Sequence, residues 1–136
     1  MVPEISELED HDEVQSEMMA EMCLIVDKQD NVIGSETKRN CHWGSGIRHR
    51  AFSVLIFDSQ GRLLVQKRSA EKITFPGVWA NSCCSHPLDM KSENDGSVGV
   101  ENAARRKLDQ ELGMPLEITE TWSFHHTGKM EYSCRG

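Results

Sequence analysis

The sequence predicts one α/β domain in which a mixed β-sheet carries a helix. Two observations predict it: apolar runs paired around turn residues in the first half, and apolar residues with a helical period in the second half. Strands followed by a helix and a further strand are typical of a sheet with a helix packed on it. The length of 136 residues is enough for one such domain.

The N-terminal segment is acidic. Residues 1–21 hold eight Asp and Glu and no Lys or Arg, so the formal net charge of −7 leaves the rest of the chain at +1. Because a run of like charge usually stays solvated, we expect a mobile lead-in over residues 1–17 and the folded domain over residues 18–136. An acidic start also argues against a secretory signal peptide.

The strands come first along the chain. Met22–Val26 is apolar, and Asp and Asn turn residues connect it to residues 32–34, which predicts a hairpin. Residues 51–57 and 63–66 predict a second hairpin around residues 58–61.

A loop, a helix and a last strand follow. Residues 73–98 contain prolines, glycines and scattered polar residues, which predicts a long ordered loop. Residues 100–112 place apolar or small side chains on one helical face, and the glycine and proline that follow predict the end of that helix. Residues 118–124 alternate apolar and polar residues, which predicts a strand.

Composition excludes several classes of protein. The longest apolar run is about five residues (Met22–Val26), whereas a membrane span needs about 20. The body of the chain lacks the excess of Lys and Arg typical of nucleic-acid binders, although a local basic pocket can hold an anion. Five cysteines, an odd number, predict reduced thiols in an intracellular compartment.

Histidines form the first candidate site. His42, His49 and His86 lie in predicted loops or at strand edges, and three imidazoles with a carboxylate can hold a divalent transition metal. Glu111 borders the apolar face of the predicted helix and can point inward to a metal. The alternatives are three unrelated surface histidines and an ordinary solvated glutamate.

Cysteine and basic residues form two further candidates. In the segment Cys83-Cys84-Ser85-His86, a thiol beside an imidazole can transfer protons, whereas two small buried apolar side chains are the alternative. The basic side chains can clamp phosphate oxygens or can be solvated surface charges. They are Lys38, Arg68 and Lys72.

Taken in this order, the candidate segments resemble type I isopentenyl-diphosphate isomerases of the Nudix superfamily. The matching segments are ETKRNCH (36–42), HRAFSVLIF (49–57), LLVQKRS (63–69), KITFPGVWANSCCSHP (72–87) and AARRKLDQELG (103–113). They cover most of residues 22–113, and FPGVWANSCCSHP is highly specific. The resemblance implies a Nudix-like α/β/α sandwich with a mixed sheet. It also implies interconversion of isopentenyl and dimethylallyl diphosphates, in isoprenoid and sterol biosynthesis, by protonation and deprotonation of the alkene.

The resemblance also implies roles for individual residues. A catalytic acid/base cysteine falls on Cys84, and a usual arginine of the helix is replaced by Lys107, which loses bidentate geometry. It implies Mg²⁺ bound with the diphosphate, a second divalent ion such as Zn²⁺ or Mn²⁺, and a protein of the cytoplasm or peroxisome with a small-molecule diphosphate as its partner. We expect a monomer, and association through sheet edges exposed by a truncation is the alternative. The metal ligands fall on His42, His49, His86 and Glu111, and the diphosphate-binding residues on Lys38, Arg68, Lys72 and Lys107.

The sequence departs from the family pattern on its C-terminal side. The family's second catalytic group is a glutamate of a Glu-x-Glu pair, expected on a strand after the stretch matching residues 118–136, and Glu131 is the only carboxylate near. We therefore expect a domain truncated on that side, and an isomerase-like fragment without turnover is the alternative. A Nudix hydrolase ranks lower because, with the hydrolase motif aligned on Arg106, Lys107 and Gln110 replace two of its metal-binding glutamates.

Overall fold

The computed structural model describes residues 13–71 and 76–133. Helices and short antiparallel strands both occur along these residues, which confirms the α/β class. Helix α1 covers part of the segment assigned to the lead-in, and residues 1–12 lie outside the described residues. In chain order the elements are α1 (Glu13–Met19), β1 (Met22–Val26), β2 (Val32–Thr37), α2 (Lys38–His42), β3 (Phe52–Val54), β4 (Gln66–Lys67), β5 (Trp79–Ala80), β6 (Cys83–Ser85), α3 (Gly96–Leu112) and α4 (Leu116–Thr119).

The first predicted hairpin is confirmed. Strands β1 and β2 pair antiparallel, and the register shifts between Ile25 and Val26. Asp27 closes the turn because its Oδ1 accepts hydrogen bonds from the backbone N–H groups of Gln29 and Asn31, both at 2.9 Å. This local side-chain turn explains why the sequence alone located the hairpin.

The second edge of β1 holds two segments from distant parts of the chain. Ile25 forms an antiparallel bridge with His49, and Cys23 forms one with Leu88. The N–H of Asp89 donates to the carbonyl of Met22 at 2.8 Å. The segments around His49 and His86 are therefore tied to the same strand.

The second hairpin is confirmed at its turn only. Phe57 bridges Leu63, and the N–H of Leu64 donates to the carbonyl of Ile56 at 2.8 Å. The named strands on either side pair elsewhere, since β3 pairs with β6 and β4 with β5.

Residues 73–98 are not one loop, because β5, β6 and the start of α3 lie within them. Strands of two or three residues are too short to leave a periodic pattern. Every strand pair in the described ranges is antiparallel, so the prediction of a mixed sheet is wrong for this part of the chain.

Helix α3 confirms the predicted helix and begins four residues earlier, at Gly96. It ends at Leu112 and is capped by Gly113, whose φ of 65° is the left-handed conformation that glycine favours. The helix buries Ala103, Ala104 and Leu108 and packs against β6 and β3. This contact carries the C-terminal half of α3 to the strand that holds Cys83 and Cys84.

The strand predicted over residues 118–124 is wrong. Leu116–Thr119 is a helix that begins after Pro115, and residues 122–133 have no regular secondary structure. Ile118 is half exposed whereas Thr119 is fully buried, so the apolar alternation does not face the core.

Candidate functional site

Three histidines from three segments meet at one place. His42 ends α2, His49 lies beside β1, and His86 follows β6. The His42 ring centroid lies 4.7 Å from that of His49 and 5.2 Å from that of His86, and the last two are 4.9 Å apart. One ring nitrogen from each lies within 4.8 Å of the others, which is close enough for one ion to be shared.

Hydrogen bonds orient two of the three rings. His42 Nδ1 lies 2.7 Å from the carbonyl oxygen of Lys38, and His49 Nδ1 lies 2.6 Å from that of Ile47. A carbonyl only accepts hydrogen bonds, so each Nδ1 is the donor, and in the neutral ring Nε2 then keeps its lone pair. Both rings are thus in the tautomer that binds a metal through Nε2.

His86 differs because its Nδ1 is buried and has no hydrogen-bond partner. Burial places the pKa of His86 well below its ordinary value, and the positive charge of Lys38 adds to this shift. Burial also lowers the pKa of His42. Neutral imidazoles with an unpartnered nitrogen fit a divalent transition metal.

Cationic side chains lie next to the histidines. Burial lowers the pKa of Lys38, and the charges of Lys107 and Arg68 act on it in the same direction. Lys107 is buried, and its charge, like that of Lys38, also acts on His86. A concentration of positive charge with little exposure favours a polyanionic ligand. Lys72, the fourth predicted basic residue, lies outside the described residues.

The two adjacent cysteines face different surroundings, as alternate residues of a strand do. Cys84 pairs in register with Ser53, and its Sγ lies 3.3 Å from Ser53 Oγ. Cys83 is buried, and its Sγ lies 3.7 Å from Glu111 Oε2. Burial, with the charge of Glu111, raises the pKa of Cys83 to about 12. Cys83 is therefore the small buried side chain, and Cys84 is the accessible thiol.

Glu111 lies apart from the histidine ligands. The 4.8 Å group of ligand atoms contains the three histidines and not Glu111. Its Oε1 lies 3.4 Å from Lys107 Nζ, and its Oε2 lies 3.4 Å from Gln66 Nε2. Glu131 forms an ion pair with Arg48 at 2.7 Å. Glu111, the carboxylate predicted to bind Mg²⁺, is thus held beside the cationic side chain of Lys107.

Two features escaped the sequence interpretation. Gln66 Nε2 donates to the carbonyl of Ser82 at 3.0 Å as well as facing Glu111. Glu93 is 3% exposed and is paired with Arg106. A sequence of many charged residues does not reveal which of them are buried, so only the fold identifies this pair.

The chain matches the model of one known protein family. The NUDIX domain model matches residues 47–135, which is more than half of the chain, and this chain belongs to that family. A NUDIX domain implies the use of a divalent metal, and the histidine group can hold one.

The chain is also similar to individual proteins whose names are more specific than that of the family. The chain is 45% identical over 130 residues to "Isopentenyl-diphosphate Delta-isomerase 1" of Mesocricetus auratus, covering 91% of the chain and 57% of the relative. It is 45% identical over 140 residues to the protein of the same name in Bos taurus, covering 98% and 61%. "Isopentenyl-diphosphate delta-isomerase idi1" of Aspergillus fumigatus is 47% identical over 135 residues, covering 93% and 48%. The chain thus spans 57% to 61% of the length of the first two relatives.

No helix among the described residues combines the length and the apolar character needed to cross a membrane.

Proposed function

We propose that this chain belongs to an isopentenyl-diphosphate isomerase that interconverts isopentenyl and dimethylallyl diphosphates. The observation that carries the proposal is the convergence of His42 and His49 on the segment of residues 83–86, which also holds Cys84. The similarity to isomerases of mammals and a fungus supports it.

The diphosphate is the part of the substrate that the site binds most strongly. Lys38, Arg68 and Lys107 offer positive charge, and Lys72 is the fourth basic group of the proposal. Mg²⁺ bound beside Glu111, and a transition metal such as Zn²⁺ or Mn²⁺ at the histidines, would supply Lewis-acid charge when present. Cations at a little-exposed site lose less of their attraction to solvent screening.

The proposed chemistry is one proton added and one removed. Moving a double bond requires protonation at one end of the alkene and loss of a proton at the other, through a cationic transition state. Cys84 is proposed as one of these acid/base groups. The hydroxyl of Ser53, at 3.3 Å from the thiol, helps to orient it.

The test is a direct isomerisation assay. Purified chain with Mg²⁺ and Zn²⁺ or Mn²⁺ is incubated with isopentenyl diphosphate, and the methyl signals of dimethylallyl diphosphate are followed by proton NMR. The isomerase proposal predicts turnover that Cys84→Ala abolishes and that the neighbouring Ser85→Ala retains, whereas the fragment alternative predicts no turnover by any of the three proteins.

Two outcomes would contradict this proposal. Diphosphate binding without turnover would favour an isomerase-like chain that binds its ligand only. Release of phosphate from the substrate would favour a Nudix hydrolase.

A further inference from the structure

A buried ion pair lies directly behind His86. Arg106 Nε donates to Glu93 Oε2 at 2.7 Å, and Arg106 Nη2 donates to Glu93 Oε1 at 2.9 Å. The side chains are 20% and 3% exposed. Two parallel hydrogen bonds fix the relative orientation of guanidinium and carboxylate, which a single charged contact does not.

The same pair holds the backbone on both sides of Pro87. Arg106 Nη2 also donates to the carbonyl of His86 at 3.2 Å. Glu93 Oε1 also accepts from the N–H of Leu88 at 3.0 Å. Pro87 lies buried between them and has no N–H of its own, so these bonds fix the segment of residues 86–88 at both ends.

His86 needs this support more than its two neighbours do. His42 and His49 are each oriented by a hydrogen bond from Nδ1 to a backbone carbonyl. The Nδ1 of His86 has no hydrogen-bond partner. The direction of the His86 ring therefore depends on its own backbone and on packing.

The turn that carries Glu93 is itself packed closely against helix α3. A Cβ on Gly99 would lie 2.4 Å from the carbonyl oxygen of Glu93, so only glycine lets the helix approach this closely. Asn102 Nδ2 donates to the carbonyl of Ser92 at 2.8 Å. The turn that carries Glu93 is thus seated on the helix that carries Arg106.

We propose that Arg106 and Glu93 are positioning residues that aim the His86 ring at the ion held with His42 and His49. This rests on the metal centre of the proposed function, and it adds a support that acts through the backbone of a ligand. A buried ion pair adds little net stability compared with well-packed apolar side chains, which is consistent with a geometric role.

The experiment is a titration of the full chain with Co²⁺, followed by its visible absorption. Replacing a group that orients a metal ligand typically weakens metal binding by about 10-fold to 100-fold. We expect Arg106→Lys, which keeps a charge for Glu93 but loses the fork that also reaches His86, to weaken Co²⁺ binding by about 10-fold or more and to shift the absorption bands.

Arg105→Ala is the matched control. Arg105 lies on the same helix and also donates to two backbone carbonyls, those of Thr119 and Trp122, away from His86. We expect its Co²⁺ affinity and spectrum to equal those of the wild type even where its melting temperature falls. Glu93→Gln removes the charge but can still accept from Leu88, so it provides a second, milder variant.

The outcomes distinguish the positioning role of Arg106 and Glu93 from the proposed isomerase activity. Wild-type affinity and spectrum in both Arg106→Lys and Glu93→Gln, with only the melting temperature lowered, would overturn the positioning role. Absence of Co²⁺ binding by the wild type would overturn it together with the metal centre. Loss of Co²⁺ affinity in Arg106→Lys, in a chain that shows no isomerisation, would support the positioning role while refuting the proposed activity.

Discussion

The Nδ1 atom of His42 lies 2.7 Å from the carbonyl oxygen of Lys38, which joins a candidate metal ligand to a candidate diphosphate ligand within one turn of helix α2. The side chain of Thr37 accepts from the N–H of Asn40 at 3.2 Å and caps this short helix. The hairpin that ends at Thr37 thus sets the position of both residues.

The histidine group leads to a prediction about metal content. In the proposed metal centre three histidines would share one ion, so replacing one of them would leave an incomplete ligand set and weaken binding. We expect His49→Ala, purified in the presence of Zn²⁺, to retain much less zinc than the wild type by elemental mass spectrometry. His126→Ala is the control because His126 faces Glu101 on the surface. Equal zinc in all three proteins would refute the metal assignment.

Lys38 leads to a prediction about anion binding. Its amine is little exposed and lies near the charges of Lys107 and Arg68, so a bound diphosphate would relieve their mutual repulsion. We expect Lys38→Met, of similar length, to weaken isopentenyl diphosphate binding by about 1.5 to 3 kcal/mol, the range for a charged hydrogen bond. Calorimetry measures this, with Lys28→Met on the exposed β1–β2 turn as the control. An unchanged dissociation constant would count against the basic site.

The adjacent cysteines lead to a prediction about alkylation. Because the pKa of Cys83 is about 12, only about 10⁻⁴ of it is thiolate at pH 8, and the side chain is also buried. We expect iodoacetamide to modify Cys84 in the native chain long before Cys83. Mass spectrometry of peptides distinguishes the two sites. Faster reaction at Cys83 would mean that Cys83, and not Cys84, lies on the accessible face of strand β6.

Asp30 leads to a prediction about acid stability. Burial raises its pKa, but hydrogen bonds from Lys129 at 2.7 Å and Arg50 at 2.9 Å outweigh burial and place the pKa below the ordinary value of 3.8. The stability from this lowered pKa is therefore complete above pH 3.8 and is lost as the pH falls through the lower, folded-state pKa.

We expect Asp30→Asn to reduce the free energy of unfolding at pH 7 by about 1 to 2 kcal/mol. Urea titrations measure the difference, which should shrink below pH 3.8. Asparagine tolerates the positive φ of 65° at this position, so backbone strain does not contribute. A difference that is the same at pH 7 and at pH 2.5 would refute the ionic origin.

The sequence predicted the parts of the fold that depend on neighbouring residues. The β1–β2 hairpin depends on the Asp27 turn, and the end of α3 depends on Gly113. The convergence of the histidines depends instead on His49 and Leu88 bridging β1, and no spacing in the sequence encodes a pairing over such distances. The sequence singled out the three histidines as a candidate site and the resemblance implied that they bind a metal, whereas the burial of Glu93 emerged only from the packing of α3.

Gly99 leads to the last prediction, on packing. A Cβ at this position would meet the carbonyl oxygen of Glu93 at 2.4 Å and its carbonyl carbon at 2.6 Å. Both atoms are backbone, so the helix or the turn must shift. Overpacking of this kind costs about 1 to 3 kcal/mol, although alanine itself favours a helix. We therefore expect Gly99→Ala to lower the melting temperature.

Gly34→Ala is the matched control, because a Cβ there meets nothing within 4 Å. The displaced turn carries Glu93, which bonds to Arg106. We therefore expect Gly99→Ala also to weaken Co²⁺ binding, whereas Gly34→Ala leaves it unchanged. A Gly99→Ala protein as stable as the wild type would show that the turn yields easily, and the close approach of α3 to Glu93 would then not be what holds that turn in place.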